Sequence, residues 1–300
     1  SIQRMKKSYE IDMCNGPLLG KILVFSIPLM LSGILQLLFN AADIIVVGRF
    51  AGSTALAAVG STASLINLMI NVFVGLSVGV NVLAARYYGA QKEKDIQDTV
   101  HTAIRMGILS GLFLVVLGES ASKPMLTLSG TPDDVLDHAA LYLRIYFFGM
   151  PVLMIYNFGA ALLRAVGDTR RPLYFLFAAG AVNVVLILFF VIQLGMGVDG
   201  VAWATVISEC VSAGLIIRSL MKENGAMKLH LTKLRIVSGK LTQIVRVGLP
   251  AGMQGAIFSI ANVLIQSSVN SFGSIAMAGN TASSNIEGFV YTAMNAVYQT

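Results

Sequence analysis

The sequence predicts an all-α polytopic membrane protein: a six-helix N-terminal lobe followed by the first two helices of a second, pseudo-symmetric lobe. Three observations carry this prediction. The 300 residues are 56% hydrophobic and only 12% charged, with a mean hydropathy of +0.76, whereas soluble domains carry about 25% charged residues. The basic residues fall in alternate connections between apolar runs. A segment near the N-terminus also recurs some 222 residues later.

Eight apolar runs qualify as spans, at 18–47, 55–85, 100–118, 139–164, 173–194, 201–221, 247–269 and 275–300. A membrane helix needs about 20 residues, so the first two are long enough to tilt, bend or project beyond the bilayer. Pro28 removes a backbone donor from the first and predicts a bend there. Short connections such as "GMGVDG" (195–200) separate most spans. The segment 119–138, with Pro124, Pro132, Asp133, Asp134 and Asp137, reads as a longer polar connection, and 222–246 is the longest and most basic. The chain thus divides into an N-terminal segment (1–17), a six-helix lobe (18–221), a linker (222–246) and the start of a second lobe (247–300). Ser1 is not a natural start, and Met5 is the expected initiator.

Of 21 Lys and Arg, 18 lie in the N-terminal segment and the even-numbered connections; the others are Arg49, Lys123 and Arg144. By the positive-inside rule that side is cytoplasmic, which gives a multi-pass protein of the inner (plasma) membrane with its N-terminus in the cytoplasm. The net charge of +6 then reports topology, and no nucleic-acid partner is expected. Cys14 and Cys210 lie too far apart in kind and place to imply a disulfide framework.

The repeat aligns "IPLMLSGILQLLFNAADIIVVGRFAGSTALAAVGSTAS" (27–64) with "LPAGMQGAIFSIANVLIQSSVNSFGSIAMAGNTASS" (249–284). Pro28 meets Pro250, Gly33 meets Gly255, Asn40 meets Asn262 and Phe50 meets Phe272. Six spans separate the copies, so both cross the membrane in the same direction, the parallel-repeat plan of secondary transporters. On that plan about four further helices are expected beyond Thr300.

No phosphate-binding loop, metal-spaced His/Cys cluster or catalytic triad is present, so an enzyme is not indicated. His101, His138 and His230 read as isolated, solvated surface residues. Three carboxylates lie within spans: Asp43, Glu209 and Glu287. An Asp at a helix centre costs about 2.5–3.5 kcal/mol on insertion scales, so such groups face a bundle interior or a water-filled cavity. Neutralisation by a proton or a bound cation relieves that cost, which suits an ion-coupling site. Glu209 has Ser208 and Thr205 as possible polar partners. Gln36, Asn40 and Asp43 share one face of span 1. Gln254, Asn262, Gln266 and Asn270 do so in span 7, Ser64, Asn67 and Asn71 in span 2, and Asn280, Ser284 and Glu287 in span 8. These stripes, with Asn285 and Asn183, are candidates for a polar cavity between the lobes; hydrogen bonding between helices is the simpler alternative. The spacings Gly75-x-x-x-Gly79 and Gly107-x-x-x-Gly111 mark close helix packing.

These pieces resemble the multidrug and toxic compound extrusion (MATE) family, through "SIPLML…NAADIIVVGRFAGSTALAAVG", "ALLRAVGDTRRPLYF" (161–175) and "GMGVDGVAWATVIS" (195–208). The resemblance implies a twelve-helix exporter of two six-helix lobes that exchanges H⁺ or Na⁺ for amphipathic organic cations. It implies no cofactor beyond the coupling ion, and a monomer in the lipid bilayer. Asp43, Pro28 and Asn183 fall on the family's first-helix carboxylate, first-helix proline and fifth-helix Asn. Ile187 stands where an acidic residue is common, and Phe258 or Ser259 stands where some members carry a coupling Glu. A flippase for a lipid-linked precursor on the same fold, or a non-transporting scaffold or channel subunit, are the alternative functions.

Overall fold

The computed structural model describes residues 10–223 and 225–300. Met5, Arg4, Lys6 and Lys7 lie outside them. Among the described residues the regular structure is entirely helical. Helix α1 (Leu18–Phe50) forms span 1, and α2 (Ser53–Ser61) with α3 (Ala63–Gly89) forms span 2. Helix α4 (Glu93–Leu128) is span 3, and α5 (Asp133–Phe148) with α6 (Met150–Ala165) is span 4. Spans 5 to 8 are α7 (Arg170–Leu188, extended by a π-helical turn, Phe189–Gln193), α8 (Val198–Met221), α9 (Ser238–Asn270) and α10 (Ser274–Gln299).

Local chemistry sets several of these boundaries. Pro132 precedes α5, whose first turn carries Asp133 and Asp134, where carboxylates complement the positive end of the helix dipole. Span 4 bends by 51° at Gly149, and Pro151 sits in the first turn of α6, where no backbone donor is required.

Three expectations need correction. The 119–138 segment is not a polar connection: α4 continues through Pro124 to Leu128, and only 129–132 link it to α5. Its hydroxyls are satisfied inside the helix, with Ser120 donating to Val116 O (2.8 Å) and Thr127 to Lys123 O (2.9 Å). Its charges tie α4 to α5 through Glu119–Arg144 (3.0 Å) and Lys123–Asp137 (3.6 Å). Likewise the linker is shorter than expected, because α9 starts at Ser238. Finally, spans 1 to 7 are long and apolar enough to cross a membrane, span 4 as a bent pair, but α10 falls below that hydropathy. Its polar stripe dilutes it.

The core centres on α6, whose Met154, Phe158, Leu162 and Leu163 are wholly enclosed by α3, α4 and α8. Large apolar side chains such as Val116, Phe177, Val185 and Leu264 lie exposed on the outside, as a hydrocarbon environment allows.

The repeat is visible in three dimensions. Helices α1 and α9 each have 33 residues. Each copy then turns on a glycine in the same conformation, Gly52 (φ 94°, ψ 172°) and Gly273 (φ 96°, ψ −179°). The lobes meet reciprocally, with α9 packed on α3 and α10 packed on α1. The first helix of each lobe therefore lies against the second helix of the other. At the α3–α9 crossing Gly75 and Gly79 face Gly248 and Gly252, and a Cβ on Gly248 would lie 2.6 Å from Leu76 Cα. Here the expected small-residue contact is backbone against backbone. Gly107 and Gly111 perform the same service for α4 against α6, facing Phe158 and Pro151.

Candidate functional site

Asp43 lies on the inner side of α1, toward α7. Gly180 makes this approach possible, because a side chain there would occupy the space of the Phe39 ring. One turn further along each helix, Asn183 Nδ2 donates to both Asp43 oxygens, at 2.8 and 2.9 Å. Asn183 is buried, and its Oδ1 accepts no hydrogen bond. The carboxylate is thus held by a neutral amide. Among the described residues no Lys or Arg pairs with it.

A second carboxylate lies in the same lobe. Glu209 projects from α8 to the bend of span 4, and a Cβ on Gly149 would lie 3.2 Å from its Oε2. That oxygen is buried and accepts no hydrogen bond. The expected partners turn elsewhere, with Thr205 donating to Val201 O (3.0 Å) and Ser208 to Thr205 O (2.8 Å). A hydroxyl in a helix satisfies itself on its own preceding turn, so neighbours in sequence did not serve as partners. Tyr142 and Tyr146 of α5, the helix packed on α8, have ring centroids 5.9 Å apart. Tyr142 is within electrostatic reach of both Asp43 and Glu209, and Tyr146 of Glu209. The sequence reading missed both tyrosines. The available signal was their spacing of four in "YLRIY", which places both on one face.

The polar stripes divide. Some residues join the lobes: Asn40 Nδ2 donates to Asn285 Oδ1 (3.1 Å), and Asn71 Nδ2 donates to Gly255 O (3.1 Å) and to Ser259 Oγ. Gln266 donates to Asn270 (2.8 Å), which in turn donates to Ser129 O (3.1 Å) and ties α9 to the end of α4. Gln36, Asn67, Gln254, Asn262 and Glu287 are exposed and make none of these bonds. Glu287 therefore does not join the Asp43–Asn183 pair. Pro28 is buried within an uninterrupted α1, and Ser32 Oγ donates to its carbonyl at 3.0 Å.

At the basic end, the motif "GDTRRP" forms a sealed network. Asp168, fully buried, accepts from the backbone N–H groups of Arg170 and Arg171 (3.1 Å each) and from Arg171 Nε, while Arg171 Nη1 donates to Glu223 (2.8 Å). Tyr88 donates to Glu10 at 3.3 Å. Partial burial, then the Glu223 charge, hold the Glu10 carboxyl above its ordinary range. The histidine expectation also fails in part. His101 is buried, stacks on His230 at 6.0 Å, and accepts from the His230 backbone N–H at 3.1 Å. The linker folds back onto α4 and covers it. His138 is exposed as expected. Cys14 and Cys210 are free thiols, and among the described residues no three His, Cys, Asp or Glu gather as metal ligands would.

Comparisons with known proteins agree with this architecture. The MatE family model matches residues 28–213. The chain is 31% identical over 276 residues to the "Probable multidrug resistance protein YoeA" of Bacillus subtilis (strain 168), covering 89% of this chain and 59% of that protein. It is 26% identical to YpnP of the same organism, covering 93% and 62%. A solved structure described as the inward-facing conformation of a multidrug resistance MATE family transporter superposes with a TM-score of 0.76 at 26% identity, covering 86% of this chain and 60% of that one. The chain spans about three fifths of the length of these relatives. Repeat, reciprocal lobe packing and family match converge: the chain belongs to the multidrug and toxic compound extrusion (MATE) family.

Proposed function

We propose that this protein is a cation-coupled antiporter that exports amphipathic organic cations, with Asp43 as the coupling group. One observation carries the reading: a carboxylate inside the N-terminal lobe whose hydrogen-bond partner is an uncharged amide. Asp43 is half-buried; a charge partly withdrawn from water without a counter-charge is costly, and a proton or Na⁺ relieves the cost. Asn183 Oδ1, a buried acceptor with no donor, adds an oxygen that suits either ion. Glu209 and the two tyrosines extend the polar track deeper into the lobe. The exposed Gln36, Asn67, Gln254, Asn262 and Glu287, together with the bridging Asn40, Asn71 and Asn285, supply polar groups for a cationic substrate between the lobes. The basic end faces the cytoplasm of a plasma membrane on this reading, and one chain forms the transporting unit.

The test is dye-cation efflux from cells expressing the protein, with an imposed H⁺ or Na⁺ gradient. Asp43→Asn abolishes gradient-driven efflux while Glu287→Gln retains most of it. The opposite pattern would assign coupling to the second lobe. Efflux that ignores both gradients in the unaltered protein would remove the antiport reading.

A further inference from the structure

Between the basic ends of α7 and α8 lies a cavity of about 310 Å³, lined by Arg171, Phe175, Leu215, Arg218, Ser219 and Lys222. Its residues are graded along the helix axes. On α7, Arg171 occupies the terminal turn and Phe175 the next turn inward. On α8, Lys222 and Arg218 occupy the end and Leu215 lies deeper. Cations thus stand at the membrane edge and apolar side chains toward the membrane centre, on both walls of one groove.

The cations have different roles. Arg171 is fixed by Asp168 and by Glu223 (2.8 Å), yet neither carboxylate lines the cavity. Arg218 and Lys222 are exposed and form no ion pair among the described residues. The outer surface beside the groove is apolar and aromatic, with Tyr174 53% and Phe177 60% exposed. Tyrosines favour the headgroup level of a bilayer. Among the described residues, helices α9 and α10 pack chiefly on α3, α1 and α2 and not on this face.

We propose that this groove binds the headgroup of an anionic phospholipid of the leaflet at the basic end. The phosphodiester is held by Arg218 and Lys222, and an acyl chain runs along Phe175 and Leu215. Basic pockets between membrane helices recognise anionic headgroups in this way. The proposal needs the spans to cross a bilayer but does not depend on which cargo or ion the protein moves.

The test uses the purified protein in phosphatidylcholine nanodiscs, titrated with phosphatidylglycerol. Retained lipid is counted by native mass spectrometry. Phosphatidylglycerol is expected to be retained over phosphatidylcholine, and Arg218→Gln with Lys222→Gln to weaken it roughly 30-fold. Lys228→Gln with Lys233→Gln, which removes the same charge from the exposed linker, is expected to change it less than about threefold. A second readout leaves the cations intact: in a Trp203→Phe background, Phe175→Trp fluorescence is quenched by phosphatidylglycerol with brominated acyl chains and not by brominated phosphatidylcholine. Equal weakening in the two double variants, equal retention of both lipids, or absent quenching overturns the proposal. Displacement by millimolar glycerol phosphate would do so too, by making the groove a site for soluble anions.

Discussion

The α3–α9 crossing offers the sharpest test of how the lobes are joined. A Cβ added at Gly248 would lie 2.6 Å from Leu76 Cα, 2.9 Å from Gly75 O and 3.2 Å from Leu76 O, whereas ordinary contact begins near 3.4 Å. All three atoms are backbone, so no side chain can swing away and the helices must part by about 0.8 Å. A gap of that size forfeits about a quarter to a half of each dispersion well along the seam. Overpacking of this kind costs about 1–3 kcal/mol, and the better helix propensity of Ala returns about 1 kcal/mol. Gly248→Ala should therefore destabilise the folded protein by about 0–2 kcal/mol, about 1–3 kcal/mol worse than an Ala substitution that meets nothing, and Gly248→Leu by more. Gly214→Ala in α8 is the control, because nothing lies within 4 Å of its added Cβ; it should be neutral or slightly stabilising. Reversible denaturant unfolding in mixed micelles measures all three. If Gly248→Ala proves as stable as Gly214→Ala, the close backbone seam is not what holds α9 to α3.

Three further outcomes are expected. Gly52→Ala and Gly273→Ala each force a side chain into a backbone region that is nearly exclusive to glycine, and each should cost about 1–3 kcal/mol in the same unfolding measurement. Asn183→Leu leaves the Asp43 carboxylate without its donor and should cost about 1.5–3 kcal/mol, a loss that Asp43→Asn in the same chain largely removes in a double-mutant cycle. The Glu10 carboxyl is held above its ordinary value of 4.5, first by burial and then by the Glu223 charge, with Asp168 adding and Tyr88 and Arg171 opposing. The docked segment then binds more protons than the free one, so docking is strongest at low pH and weakens as pH rises above 4.5. The hydrogen-exchange protection factor of Ile11 N–H, which donates to Gly167 O at 3.2 Å, should fall over that window, and Glu10→Gln should flatten its pH dependence.

The sequence by itself determined the fold class, the order of the spans and the repeat. Those properties rest on local composition: a run is apolar or not, a glycine is present at the turn or not, and a basic residue lies in one connection or the next. Gly52 and Gly273 recur because both copies must reverse direction in a conformation that other residues avoid. Polarity near a helix end misled the reading, since 119–128 satisfies its hydroxyls on its own preceding turns and remains helical. Only the tertiary structure decided partners. Asn40 and Asp43 share one helix face by spacing, yet one reaches Asn285 in the second lobe and the other Asn183 in the first. His101 looked like surface until the linker folded over it, and Glu209 found Gly149 and a pair of tyrosines rather than its neighbours in sequence. Which groups meet depends on how closely helices approach, and that is set by single missing side chains, at Gly180 under Phe39 and at Gly248 against Leu76, between residues far apart in the chain.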